Sequence, residues 1–244
     1  MKPKQYKGIV LSNINIVDNI YELKIIGKFK GNPGQFYMLR SWDLEPFLSR
    51  PLSICNIEED ALTFLYEVRG KGTNILSNLR NGDSIYLLGP LGRGFPLDNR
   101  RKVGIVAGGI GIAPMIYLCK SLNGNIDFYG GFKEKPFYMD KIEKYIDKLY
   151  ISTDSGKEGY KGFITDIFNL EKYSTVYTCG PIPMMEKIKY ICEKRDISLY
   201  ISMEKHMACG VGACFGCSIK TTSGIKKVCK DGPVFKGEEI IFRD

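Results

Sequence analysis

Histidine is almost absent from this chain of 244 residues: His206 is the only one, which excludes any metal centre that needs two imidazoles. No run approaches the roughly 18 unbroken apolar residues of a membrane helix. Residues 1–8 are basic and polar, with no apolar core after them, so a secretory signal is not expected and a cytoplasmic setting is. The net charge is +8, yet no block of five or six like charges occurs; Lys226, Lys227 and Lys230 form the nearest approach to one and read as a solvated face. Without a basic recognition stripe or a helix–turn–helix pattern, nucleic acid is not an expected partner. Internal repeats and low-complexity segments are lacking too.

What is present divides into three stretches. Short runs rich in Ile, Val, Leu and Tyr, at about 8–17, 21–27, 35–39, 52–57, 62–68 and 84–88, are separated by turn residues and predict a small six-stranded antiparallel barrel. A short helix is expected near 74–79. After Pro96 the rhythm changes to alternating strands (102–107, 126–131, 149–153, 175–179, 199–202) and helices (113–122, 139–145, 164–169, 182–194). That alternation predicts a parallel sheet with helices on both faces. The expected boundary falls at 97–101. The tail is rich in Cys, Gly and Lys, with strand-like pieces at 218–222 and 239–242. It is too small to hold a core alone, so a bound group is expected to staple it. The expected domains are 1–99, 100–203 and 204–244.

Eight cysteines are present. Cys55, Cys119, Cys179 and Cys192 are spread through apolar surroundings and read as small buried hydrophobes. The other four crowd together as Cys209, Cys214, Cys217 and Cys229, in the spacing C-x4-C-x2-C-x11-C. Plant-type [2Fe–2S] sites use C-x4-C-x2-C and one more distant cysteine, whereas four-thiolate zinc sites usually pair two short hooks. Gly210, Gly212 and Gly216 supply the backbone freedom a loop needs to aim N–H groups at sulfur. The spacing therefore points to iron–sulfur over zinc, in a reducing compartment. With a lone His206, a Rieske centre does not fit.

Two further motif pairs carry phosphate chemistry. Arg50-Pro51-Leu52-Ser53 opens a barrel strand, and Leu65-Tyr66-Glu67 leads through Gly70 to Gly72-Thr73 at a helix start. An arginine fork and a helix N-terminus together suit a pyrophosphate. In the second stretch, Gly108-Gly109-Ile110-Gly111-Ile112-Ala113-Pro114 follows a strand and opens a helix. Cys179-Gly180-Pro181 does the same further on. Both loops belong at the carboxyl edge of a parallel sheet, where ligands bind. The pattern is not G-x-G-x-x-G, and no acidic residue ends the second strand. Asp154, after the third, is placed to accept ribose hydroxyls and repel a 2′-phosphate, which favours NADH over NADPH.

On these residues the chain resembles the ferredoxin–NADP reductase superfamily. The resemblance implies FAD held by Arg50, Pro51, Leu52, Ser53, Leu65, Tyr66, Glu67, Gly72 and Thr73. It implies NAD(H) held by Gly108, Gly109, Gly111, Pro114, Asp154, Cys179, Gly180 and Pro181. Ser53 is then expected beside the reactive flavin edge, and Ser53 and Cys179 are the candidate catalytic residues. Those reductases end on an aromatic residue that covers the flavin; here the chain runs on, and Phe242-Arg243-Asp244 takes no such role.

The run from Ser202 to Cys214, together with Cys229-Lys230-Asp231-Gly232-Pro233-Val234-Phe235, resembles the electron-transfer subunits of class 1B dihydroorotate dehydrogenases over essentially the whole chain. That implies electron passage between NAD(H), FAD and a [2Fe–2S] cluster ligated by Cys209, Cys214, Cys217 and Cys229. It also implies an FMN-containing catalytic subunit as partner, in a heterotetramer serving pyrimidine biosynthesis. No dihydroorotate site is identifiable in the chain itself. Plant-type clusters lie near about −400 mV, too low for nicotinamide to fill readily, so hydrogen bonds from the loop are expected to raise this one. Competing readings are a small subunit of a sulfide dehydrogenase or bifurcating NAD(P)H–ferredoxin complex, a stand-alone ferredoxin reductase, and a redox-sensing regulator. An apolar patch near Val211 or Phe215 is expected to mark the partner contact.

Overall fold

The structure is a computed structural model that describes residues 3–98, 101–170 and 173–242. Parts of three sequence expectations lie outside the described residues: the first two positions of the N-terminal stretch, Asn99 and Arg100 at the expected domain boundary, and the terminal Arg243 and Asp244.

Six antiparallel strands close the first barrel. They are β1 (Lys4–Val17), β2 (Ile20–Ile26), β3 (Phe36–Arg40), β4 (Arg50–Ile57), β5 (Ala61–Glu67) and β6 (Ser84–Leu91), in the order β1-β2-β5-β4-β3-β6. Alternate residues point inward, so Leu23 and Ile25 of β2 meet Tyr37 and Leu39 of β3 and Phe64 of β5 in one core. Each fully buried side chain of this kind contributes about 1.5–3 kcal/mol. The helix α1 (Lys71–Ser77) begins three residues earlier than the sequence pattern predicts, so Gly72 and Thr73 lie inside its first turn.

The second unit is a seven-stranded sheet. It contains β7 (Val103–Gly108), β8 (Ile126–Phe132), β9 (Lys148–Thr153), β10 (Tyr160–Lys161), β11 (Thr175–Cys179) and β12 (Ser198–Ser202), all parallel. Helix α2 (Ile112–Ser121) covers one face and α3 (Ile182–Glu193) the other. With β15 (Val234–Lys236) on the far edge, the strand order is β10-β9-β8-β7-β11-β12-β15. The direction of winding thus reverses between β7 and β11, and such a reversal leaves a crevice at the carboxyl ends of the two strands.

Two expected helices are shorter structures. Residues 139–145 form two 3-10 turns, Met139–Lys141 and Glu143–Tyr145. Met139, Ile142 and Tyr145 recur every three residues, the 3-10 period rather than 3.6. Over 164–169 only the 3-10 turn Ile164–Asp166 forms.

The tail makes the hairpin β13 (Ser218–Thr221) and β14 (Gly224–Lys227), then β15 (Val234–Lys236). β15 joins the large sheet antiparallel to β12. The strand expected at 239–242 is replaced by the 3-10 turn Gly237–Glu239 and a single bridge from Ile240 to Thr221. The Ile240 carbonyl instead accepts a hydrogen bond from Lys189 Nζ at 2.6 Å. Cys217, Val228, Cys229, Phe235 and Ile240 are buried in one core with α3 and β12, so the tail shares a core rather than lacking one. Among the described residues, no helix is long and apolar enough to cross a membrane.

Candidate functional site

A cleft of about 1190 Å³ runs between the barrel and the carboxyl edge of the large sheet. One wall is β4 and β5. Arg50, Pro51, Leu52 and Ser53 face it from β4; Leu65, Tyr66 and Glu67 face it from β5; Thr73 faces it from α1. Gly72 stands behind Arg50. A Cβ there would lie 2.4 Å from the Arg50 Nε, so only glycine leaves the guanidinium its place. The Arg50 Nη1 donates to the Leu48 carbonyl at 2.5 Å, and its Cζ lies 5.5 Å from the centre of the Trp42 ring. The guanidinium is thus aimed before any ligand arrives. Thr73 Oγ1 accepts from the backbone N–H groups of Arg69 and Gly70 at 3.0 and 3.2 Å, which fixes the turn into α1.

Some polar groups on this wall are already committed. The Tyr66 hydroxyl donates to Asn13 Oδ1 at 3.1 Å, and burial raises its pKa. Its ring stacks on Tyr21 at 5.7 Å. Arg69 Nε donates to Glu67 at 2.6 Å, so the Glu67 carboxylate is paired. Leu65 and Tyr66 are nearly inaccessible and form the floor of the cleft.

The opposite wall holds the two glycine loops. Gly108, Gly109, Gly111 and Pro114 reach it from the β7–α2 connection, Gly180 and Pro181 from the β11–α3 connection. These loops touch: a Cβ on Gly111 would meet the Cys179 carbonyl oxygen at 2.5 Å, and one on Gly180 would meet the Gly108 nitrogen at 2.8 Å. Cys179 itself is buried behind Gly180 and does not face the cleft; burial pushes its thiol pKa up. Asp154 stands apart as well. It is exposed beyond β9, and its amide donates to the Lys133 carbonyl at 3.1 Å, Lys133 being a cleft residue.

Sequence reasoning missed two parts of this site. The segment 132–137 forms the side wall through Phe132, Lys133, Lys135 and Phe137. Its signal was its place directly after a strand at the carboxyl edge. The segment 204–207 closes the end of the cleft, with Glu204 and His206 facing in, and leads straight into the cysteine loop. Crowding in the cleft raises the Glu204 pKa, Arg69 opposes the rise and Glu67 adds to it.

The cysteines form two pairs. Cys214 Sγ lies 3.3 Å from Cys209 Sγ, and the Cys229 amide donates to Cys217 Sγ at 3.4 Å, with the two thiols hydrogen-bonded as well. Among the described residues, no three or more His, Cys, Asp or Glu side chains gather as a single-ion site requires. Two pairs suit a binuclear centre in which each iron takes two thiolates. The loop also aims donors at sulfur. Burial alone raises the Cys209 pKa, but backbone N–H groups of Cys214, Val211 and Ala213, with the Cys214 thiol, bring it down to about 6. A [2Fe–2S] cluster therefore fits Cys209, Cys214, Cys217 and Cys229. Gly210 has φ +70, and a Cβ there would meet Met38 of β3 at 2.8 Å, so the cluster loop lies directly against the barrel.

A closed antiparallel barrel, a doubly wound sheet facing it across one cleft and a four-cysteine loop define a ferredoxin-reductase-like oxidoreductase with an iron–sulfur extension. The chain superposes with a TM-score of 0.87 on an NADH-dependent reduced ferredoxin-NADP oxidoreductase solved in connection with flavin-based electron bifurcation, at 28% identity, covering 96% of this chain and 90% of that one. It also matches the ferredoxin reductase of carbazole 1,9a-dioxygenase, at TM-score 0.69 and 18% identity, covering 81% of this chain and 67% of the other. Residues 204–241 match the model of the iron–sulfur cluster binding domain of dihydroorotate dehydrogenase B. The electron transfer subunit of dihydroorotate dehydrogenase B (NAD(+)) from Clostridium acetobutylicum is 51% identical over the full length of both chains, and that from Clostridium perfringens is 46% identical over 99% of this chain and 100% of the other. The chain belongs to the family of dihydroorotate dehydrogenase B (NAD(+)) electron transfer subunits.

Proposed function

We propose that this chain carries electrons between NAD(H) and an FMN-containing dihydroorotate dehydrogenase catalytic subunit, through FAD and a [2Fe–2S] cluster, in the cytoplasm. One observation carries the reading: a single cleft joins the Arg50–Ser53 strand, both glycine loops and the segment that becomes the cysteine loop. Bound there, FAD and the cluster supply exchange between a two-electron hydride and single electrons.

The chain's own residues bind, orient and shield. Arg50, freed by Gly72, holds the FAD pyrophosphate, with Thr73 fixing the adjoining turn. Pro51, Leu52, Leu65, Tyr66 and Glu67 would form the bed for the isoalloxazine, and Ser53 would stand beside it. Gly108, Gly109, Gly111, Pro114, Gly180 and Pro181 leave backbone room for the dinucleotide, and Asp154 meets its ribose from the rim. Cys179, expected as catalytic, does not reach the cleft and is a positioning residue, its carbonyl packed against Gly111 beneath the wall. Backbone N–H groups around Cys209 stabilise negative charge on sulfur. The three working units correspond to residues 1–99, 100–203 and 204–244. Val211 is 45% and Phe215 70% exposed beside the cysteines, which supports that face as the docking surface for the catalytic subunit.

The likeness to the bifurcating oxidoreductase supports a second reading, a small subunit of such a complex. An anaerobic absorption titration with NADH, on the chain co-purified with its partner, separates them. Bleaching of flavin and cluster bands, followed by reoxidation with orotate only when the partner is present, is the expected result. Reduction with no orotate response moves the assignment to the second reading. Absence of flavin and iron overturns both.

A further inference from the structure

Residues 133–138 leave β8 without helix or strand structure. Lys133, Lys135 and Phe137 face the cleft, but the next residue turns away from it. Tyr138 enters a separate polar recess of about 510 Å³ between the barrel and the nucleotide domain. Its φ is +66, a left-handed conformation that a residue with a Cβ seldom adopts. Such a residue persists where its surroundings hold it there.

The surroundings are specific. The Tyr138 hydroxyl donates to Glu22 Oε2 on β2, beside the buried Cys55 of β4. Glu22 is buried, with Lys24 Nζ 3.7 Å from its other oxygen, and Cys55 is wholly buried. One phenol from the nucleotide side is thus tied to the barrel through β2. At the far end of the segment, the Lys133 carbonyl is held by the Asp154 amide. Phe137 packs edge-on against Phe132 at 5.3 Å. The segment is a strap fixed at both ends, and its middle forms the cleft wall.

We propose that Tyr138 is a positioning residue for hydride transfer. Its bond to Glu22 fixes the 133–137 wall, and with it the placement of the nicotinamide against the flavin held by the barrel. This rests on the NAD(H)–FAD reading given above. Hydride transfer is sensitive to such placement, because reacting atoms must approach to about 3–3.5 Å and a shift of about 1 Å costs up to about a hundredfold.

The test uses the chain in complex with its partner, with Tyr138→Phe, Glu22→Leu and Glu22→Gln. Anaerobic rapid mixing gives the limiting rate of flavin reduction by NADH per bound FAD, and hydrogen–deuterium exchange reports on the amides of 133–138. Tyr138→Phe and Glu22→Leu are expected to slow the limiting rate about tenfold, with FAD content kept and exchange raised in that segment alone. Glu22→Gln keeps an acceptor oxygen and is expected to stay near the wild-type rate. A wild-type rate in Tyr138→Phe, or faster exchange spread evenly over the fold, overturns the positioning role and leaves the functional reading standing. A wild-type flavin that NADH fails to reduce overturns both.

Discussion

Arg50 and Gly72 depend on each other across 22 positions of sequence. The arginine needs the space a side chain would fill, and the glycine has no other demand on it, since it sits in an ordinary helical turn. Arg50→Ala is expected to remove a charge-assisted phosphate contact of about 2 kcal/mol, which corresponds to roughly thirtyfold weaker FAD binding. FAD per chain after gel filtration reads this directly. Glu204 makes a pH-dependent contribution of known sign. Crowding raises its pKa above the ordinary value of 4.5, so the folded state holds the proton more tightly than the unfolded one. Its stabilising contribution is full below that value and is lost as pH rises through the folded pKa. Glu204→Gln is therefore expected to gain stability relative to wild type as pH rises above 4.5 in urea unfolding. The gain is small, because the side chain remains exposed to solvent. The motif residues were legible one by one: Arg50, the Gly108–Pro114 loop and all four clustered cysteines announce themselves by type and spacing. Glu204 and Tyr138 were not, because nothing in an isolated Glu or Tyr records which cavity it will enter.

At the scale of elements, the cysteine loop behaves as an insert seated on the barrel. Gly210 takes a left-handed conformation and touches Met38 and Leu91, side chains of β3 and β6. Gly210→Ala is expected to cost about 1–2 kcal/mol in backbone conformation alone, with a further clash at Met38. Iron and acid-labile sulfide per chain are expected to fall, while FAD content is kept. Barrel strands and the long helices were readable because their periods, 2 and 3.6, run for several repeats. The pieces misread were short. A three-residue spacing in 139–145 looks helical until the 3-10 turns are seen, and β15 has three residues, too few to show alternation. Its partner β12 lies more than thirty residues earlier, which no local pattern reports.

Across the whole molecule, the cleft, the cysteine loop and the exposed Val211–Phe215 face lie in succession. In the reading proposed above, electrons pass between the glycine loops and this exposed face. Lys227 Nζ sits 4.5 Å from the Phe215 ring centre, holding that ring outward. Phe215→Ala is expected to weaken association with the catalytic subunit by about 2 kcal/mol, or roughly thirtyfold, if the ring is a central anchor. Analytical ultracentrifugation of the co-expressed complex checks it. Unchanged association would place the contact elsewhere.

The sequence by itself determined the order of barrel, doubly wound sheet and cysteine loop, because hydrophobic period, glycine placement and cysteine spacing are local properties. It also determined the kind of metal centre, since C-x4-C-x2-C-x11-C leaves one loop to gather three thiols. Only the tertiary structure decided that Cys179 lies behind the cleft wall while Gly180 forms its surface, and that the tail shares the core of α3 and β12. It alone turned Tyr138 away from its neighbour Phe137 to reach Glu22. These are contacts between residues distant in sequence. They are set by how two cores pack against each other, and no period or motif within either segment encodes that packing.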